Sequence, residues 1–165
     1  MMADIIPLLY PNLKAVTIFT DASYDSRRKI GGYAYQIIGD FPPVKAYGGF
    51  KKEMHSIHQC ELGAICKALY RLFYELGSPK GITIYSDSLA AIEMLNEEGG
   101  HELYDDIAQW ARNEIKSRDI RTLSLRHVPA HTGLDSGRFK ANDWCDKFAK
   151  KAMKTTRKNW NKNKK

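Results

Sequence analysis

Four acidic residues stand where neutral side chains would be less costly. Asp21 ends an apolar run, Glu61 falls in the first turn of a helical pattern, Asp87 ends a second apolar run, and Asp146 lies among Trp144, Cys145, Phe148 and Ala149, residue types that favour burial. Taken singly, each acid has a plain explanation. Asp21 can open an Asx turn, Asp87 can cap a helix, and Glu61 can sit against the positive end of a helix dipole. Taken together they ask for more, because carboxylates that converge without matching cations repel one another and raise one another's pKa values. A divalent cation removes that penalty. An oxygen-rich donor set with few imidazoles or thiolates suits Mg²⁺ or Mn²⁺ better than zinc. Two such ions about 3.5–4 Å apart can activate a water and stabilise the oxygen leaving a phosphodiester. Cys60, Cys66, Cys145, His55, His101 and His127 lack the paired spacing of a zinc site, and the three histidines read as structural or solvent-facing.

Periodicity supplies the elements that must bring the acids together. Residues 15–20 (AVTIFT) read as a strand ending at Asp21, with residues 21–29 as a polar, turn-like segment. Two further strands come next, YAYQIIG and VKAYGGF, joined by a loop containing Asp40, Pro42 and Pro43; the three form an antiparallel meander. From Gln59 to Leu76 apolar residues recur at helical spacing until Gly77-Ser78-Pro79 stops them. GITIYS then forms a strand running into Asp87 and Ser88, and LAAIEMLNE a helix broken at Gly99-Gly100. Residues 103–117 make another helix, TLSLRHV a last strand, and the final helix begins near Asn142. Meander strands followed by alternating helices and strands imply an α/β fold, a mixed sheet covered by helices. In such a sheet the topology can bring the ends of the first and fourth strands together, where the connections diverge.

Charge is unevenly divided. The 165 residues carry a net charge of +7 at pH 7, yet residues 147–165 hold nine Lys/Arg and no acid, leaving residues 1–146 at −2. The end, KTTRKNWNKNKK, has little to pack and reads as a frayed basic tail, Trp160 aside. A polyanion partner fits this surplus. No 18-residue apolar run and no secretory leader are visible, so no membrane association is expected. An odd cysteine count suits a reducing, cytoplasmic compartment, and a monomer is expected.

Five motifs occur in order: TDAS (20–23), CELGAICKAL (60–69), YSDS (85–88), VPAHTG (128–133) and NDWCDKFAKKA (142–152). As a set they resemble type 1 ribonuclease H, in the compact form without the basic protrusion, over residues 15–153. The resemblance implies a ribonuclease H-like fold, with a five-stranded mixed sheet of three meander strands and two parallel-type strands. It implies a catalytic domain at 15–153 between an N-terminal extension, 1–14, and the basic tail, 154–165. The activity implied is endonucleolytic hydrolysis of the RNA strand of an RNA–DNA hybrid by two Mg²⁺ ions, with Mn²⁺ able to substitute, giving 5′-phosphate and 3′-hydroxyl ends. A catalytically silent hybrid-binding module, or a same-fold nuclease of the junction-resolvase or retroelement type, are the alternatives.

Carried over by position, Asp21, Glu61, Asp87 and Asp146 resemble the metal-binding catalytic carboxylates. Asn142 opens the last motif, whose metal-binding acid stands four residues on, which selects Asp146 over Asp143. His131 resembles the mobile histidine that assists proton transfer or product release. Backbone near Ser23 and Tyr24, together with Ser56, His58, Asn142 and Lys150, are the implied substrate contacts. The sequence departs from the family in three places. Ser56-Ile57-His58 stand where a Thr and two amides are usual, Leu89 stands where a Gln often reaches a base, and residues 134–141 (LDSGRFKA) read as a loop insertion. Hybrid specificity is expected to survive with weaker affinity, the basic tail supplying electrostatic attraction.

Overall fold

A computed structural model describes residues 7–96, 104–129 and 137–163. Strands β1 (Ala15–Asp25), β2 (Ile30–Gly39) and β3 (Phe41–Gly49) form the meander, followed by helix α1 (Ile57–Arg71), β4 (Gly81–Ser86), α2 (Leu89–Asn96), α3 (Asp105–Lys116), β5 (Thr122–His127) and α4 (Gly137–Asn163). One sheet runs in the order β3-β2-β1-β4-β5. β1 pairs antiparallel with β2 and parallel with β4, and β4 pairs parallel with β5. The expected α/β fold with a five-stranded mixed sheet is the fold observed.

Alternation along β1 assigns its two faces. Val16 and Ile18 enter the main core with Leu62, Ile65 and Leu69 of α1 and Ala108 and Ala111 of α3. Phe19 joins a second cluster with Ala141, Cys145 and Ala149 of α4. Helices α1 to α3 therefore cover one face and α4 the other. Helix α1 continues into a wider, π-type turn, Leu72–Leu76, closed by Gly77 N–H donating to the Leu72 carbonyl at 2.7 Å. The chain ahead of β1 packs on the same domain: Tyr10 N–H donates to the Leu76 carbonyl at 2.7 Å, and its ring stacks on Phe41 at 4.9 Å.

Three elements differ from the sequence expectation: β3, which begins at Phe41 so that Pro42 and Pro43 lie in the strand and not in the connecting loop, β1 and α4. β1 does not end at Asp21 but continues to Asp25, because β2 pairs with it as far as Asp25↔Ile30; the polar segment is held in the sheet by its neighbour rather than by its own propensity. α4 begins at Gly137, not near Asn142, so residues 137–141 of the expected insertion are its first turns; residues 134–136 lie outside the described part. Residues 154–163 are not frayed. They continue α4, with Thr156 lying over Gly49, where a Cβ would collide with its side chain, and Trp160 lining a surface cleft that Phe50 and Lys51 also line.

Gly31 and Gly32 of β2 set how closely helices approach the sheet. A Cβ on Gly31 would lie 2.5 Å from the Cys60 sulfur of α1, and one on Gly32 would lie 2.5 Å from the Ala149 carbonyl oxygen and 2.5 Å from the Met153 nitrogen of α4. The first obstacle is a side chain; the second is helix backbone, which cannot turn aside. Gly32→Val should therefore displace α4 at a cost of about 1–3 kcal/mol, a fall in Tm of about 3–10 °C for a chain of this size. An unchanged melting curve by circular dichroism would show that α4 is not held at this distance.

Candidate metal centre

Strand β4 pairs with β1 only through Phe19↔Tyr85, whereas β2 accompanies β1 to its end. Two residues on, Asp21 on β1 and Asp87 after β4 thus flank the point where the parallel neighbour departs. Ser88, not Asp87, caps α2: its Oγ accepts from Ala91 N–H at 3.2 Å. His127 Nε2 lies 3.0 Å from the Asp87 carbonyl oxygen as its donor partner, and Val128 N–H donates to the Ser86 carbonyl at 2.9 Å. The backbone beneath Asp87 is tied to β5 while its carboxylate remains available.

Glu61 comes from α1. Ser56 caps the helix, its Oγ accepting from Gln59 N–H at 3.0 Å, and Gln59 Oε1 accepts from His55 N–H at 2.6 Å, a reciprocal arrangement of the capping-box kind. Because the helix starts at Ile57, Glu61 lies beyond its first turn. That corrects its expected position and removes the dipole explanation, since the dipole effect fades within a turn. Gly63 and Ala64 follow it in a tightly packed stretch.

One carboxylate oxygen each from Asp21, Glu61 and Asp87 lies within 4.8 Å of the other two. Asp21 is 2% exposed and Glu61 4%. Asp21 accepts from Ala22 N–H at 2.8 Å through Oδ1, but Asp21 Oδ2 and Glu61 Oε2 are buried without a hydrogen-bond partner, as are Thr20 Oγ1 and Asn142 Oδ1. Unpartnered buried oxygen carries a desolvation cost. Burial first, and the neighbouring Asp87 second, push the Asp21 carboxyl up to about 8. Burial and Asp21 raise Glu61 well above the usual carboxylate range, and burial with Asp146 raises Asp87. Such a set of hard oxygen donors fits a divalent cation.

Asp146 lies near enough to raise both Asp21 and Asp87, yet it is not in the tight group of three. Its Oδ2 is ion-paired with Lys150 Nζ at 3.0 Å, one helical turn on. Asn142, one turn before Asp146, is 5% exposed. Of the other expected site residues, Ser23 and Tyr24 lie on β1, with Tyr24 Oη donating to the Met54 carbonyl at 2.8 Å; Ser56 is committed as a helix cap, and His58 is exposed at the start of α1. His131 lies outside the described residues. Two supports escaped the sequence reading. Gln59 was legible, three residues after Ser56; His127 was not, because only the β4–β5 register Ser86↔His127 brings it there.

The RNase H family profile matches residues 13–154. The chain belongs to the RNase H family. A search of curated protein sequences finds no match. Among solved structures, the N-terminal RNase H domain of a Mycobacterium tuberculosis protein, studied as a fusion with maltose-binding protein, is similar at a TM-score of 0.71 and 14% identity, covering 88% of this chain and 98% of that one. RNase H1 from the halophilic archaeon Halobacterium salinarum is similar at a TM-score of 0.63 and 19% identity, covering 86% and 98%. Family membership makes this RNase H-like chain a nuclease, and these likenesses confirm the fold. Among the described residues no helix is long and apolar enough to cross a membrane.

The raised carboxyls give a pH dependence with a definite sign. A carboxyl whose folded pKa lies above its unfolded value favours the folded state while protonated, so that contribution is lost as pH rises through the folded pKa. For Asp21 the window runs from 3.8 to about 8. In EDTA, Tm should fall as pH rises from about 5 to 8, and a divalent cation should reverse the fall. Asp21→Asn, which keeps the acceptor for Ala22 N–H, should flatten the metal-free slope and remove most of the cation response. A Tm independent of both pH and cation would contradict the electrostatic reading of this centre.

Proposed function

We propose that this chain is a Mg²⁺-dependent endoribonuclease that hydrolyses the RNA strand of RNA–DNA hybrids, leaving 5′-phosphate and 3′-hydroxyl ends. The observation that carries the reading is the cluster of Asp21, Glu61 and Asp87, within 4.8 Å and with unpartnered buried oxygens, in a chain matched to the RNase H family over residues 13–154. In this proposal Asp21 and Asp146 hold the ion on the nucleophile side, and Asp21, Glu61 and Asp87 hold the second. Mn²⁺ can take the same donors. When bound, such ions lower the pKa of a water and stabilise the oxygen that leaves the phosphodiester.

The protein residues have separate tasks. Packing of Asp21 in mid-strand and of Glu61 in a capped helix fixes two carboxylates before substrate arrives, which avoids reorganisation during the reaction. Lys150 holds Asp146 by its ion pair and turns to a substrate phosphate when Asp146 engages the cation. His131 carries a proton to the leaving oxygen or assists product release. At the start of α1, Ser56 retains its O–H donor and His58 is exposed; with backbone near Ser23 and Tyr24 they contact the hybrid, where a 2′-hydroxyl distinguishes RNA from DNA. Asn142, buried with an unpartnered Oδ1, stands one helical turn before Asp146 and offers its amide to the substrate.

Incubation with labelled RNA–DNA hybrid, duplex DNA, duplex RNA and a four-way junction, with Mg²⁺ or EDTA, tests the assignment. Cleavage is expected of the hybrid alone, and only with metal. Asp87→Asn should lower cleavage at least about a thousandfold, the loss expected when several kcal/mol of charge stabilisation are removed. Hybrid binding in EDTA should stay within about twofold, because the substitution leaves the surface that meets phosphates intact. Retained cleavage by Asp87→Asn in a metal-defined buffer would refute the site.

A further inference from the structure

Beyond Asp146, α4 carries a row of lysines of which the proposed hydrolysis uses only Lys150. Lys147, Lys150, Lys151, Lys154 and Lys158 line a surface groove of about 590 Å³ with Asp146 at its head. Lys150, Lys154 and Lys158 repeat at four-residue intervals, which sets a positive charge every ~6 Å along the helix. Cys145 hydrogen-bonds the Phe19 carbonyl, Gly32 lies under Ala149 and Met153, and Arg157 pairs with Asp25 at 3.6 Å. Helix α4 therefore runs in the direction of β1, and the groove leaves the acid cluster in that one direction.

Beside the groove lies an aromatic surface. Trp144 and Phe148 stack with centroids 4.4 Å apart, and Tyr47 of β3 meets Phe148 at 4.9 Å. Tyr47 is 44% exposed, and Trp144 and Phe148 are half-buried, packed against the Phe19–Cys145 cluster on their inner side. Two groove lysines overlap this surface: Lys151 lies 5.4 Å from the Phe148 centroid and 5.8 Å from that of Tyr47, and Lys147 lies 5.8 Å from Phe148. Lys45 sits 5.5 Å over Trp144. Lysines and aromatic rings thus form one continuous surface rather than two patches. A positive track for the backbone bordered by rings on which bases stack is the pairing that holds single-stranded nucleic acid. A duplex, with its bases stacked internally, would use the lysines and leave the rings idle.

We propose that the outer face of α4 with Tyr47 is a second nucleic-acid site, which holds an unpaired strand continuing from the hybrid at the acid cluster. The strand's phosphates follow Lys150, Lys154 and Lys158, and its bases stack on Tyr47, Phe148 and Trp144. The site rests on the proposed hybrid substrate only for the duplex from which the strand continues. Its substrates would be hybrids with single-stranded RNA extensions.

Fluorescence anisotropy in EDTA tests the site without requiring cleavage. The probes are a blunt RNA–DNA hybrid, the same hybrid with a 5′ or a 3′ RNA overhang of about six nucleotides, and overhangs of the same length made of abasic residues. From Asp146 to Lys158 the helix rises ~18 Å, so a short overhang spans the groove. One overhang polarity should bind about tenfold tighter than the blunt hybrid, with a steeper salt dependence of roughly 0.7 in log K per decade for each added phosphate contact. The abasic overhang should keep the salt effect and lose about three- to fivefold of the affinity. Lys154→Glu/Lys158→Glu should bring the overhang-to-blunt ratio to about one, and Tyr47→Ala should reduce the base-bearing overhang to the abasic level, both variants melting like the parent. The proposal is overturned by an overhang that gives no gain, by equal gain from both polarities, by abasic and base-bearing overhangs of equal affinity, or by an unchanged ratio in the lysine variant. If an overhang binds more tightly while no hybrid is cleaved with Mg²⁺, the nuclease reading fails and this site stands. Cleavage without overhang gain overturns this site and leaves the nuclease reading standing.

Discussion

The unequal company that β1 keeps on its two sides is the constraint on which the rest of the structure depends. β2 pairs with it to Asp25, while β4 leaves after Phe19. Beyond that point β1 lacks its parallel neighbour, and the space beside Asp21 is filled by Asp87, just past the end of β4, rather than by more sheet. The helices on opposite faces then contribute their own acids to the same place, Glu61 from α1 and, further off, Asp146 from α4. A junction where one strand's antiparallel partner persists and its parallel partner departs is the kind of crevice in which α/β sheets gather functional groups.

Gathering acids in this way opposes folding. The apolar packing of α1 against β1 and β2, through Leu62, Ile65, Leu69, Ile18 and Ile37, holds the carboxylates where mutual repulsion would separate them. Such a cluster costs stability, and costs of this kind are characteristic of functional sites. The thiols near it take no part: burial pushes the Cys60 thiol up to about 12 and raises that of Cys145 as well, so both stay protonated and behave as small apolar groups.

The order and kind of the secondary elements were readable because apolar periodicity changes visibly along the chain, from short β-branched runs to the Leu62–Leu76 helical pattern. The ends of elements were less readable. Asp21 to Asp25 has a polar composition typical of a turn, and only pairing with residues 30–34 keeps it extended. Residues 154–163 lack an apolar stripe of their own, and what holds them is a distant partner, Gly49 and its surroundings, whose small size is invisible to local pattern. At the candidate site, the motifs pointed to four acids, while the spatial grouping of Asp21, Glu61 and Asp87 depends on topology. The distinction between three clustered carboxylates and Asp146, held apart by Lys150, is a matter of side-chain direction on α4. An i, i+4 acid–lysine pair can be read from sequence, but not which of several neighbours the acid prefers.

Pro42 and Pro43 fall within β3, the outermost strand on one side of the sheet, next to the irregular pairing at Ile37 and Gly39. Proline has no N–H, so the first part of this free edge offers fewer donors to an incoming strand. Lys45 comes next in the same strand, and charge on an edge also discourages strand addition. The border of the sheet that carries Tyr47 is thereby poorly suited to extension by another polypeptide's backbone. The same prolines that remove donors from this strand also act as a guard against fibre-like stacking of one molecule on the next.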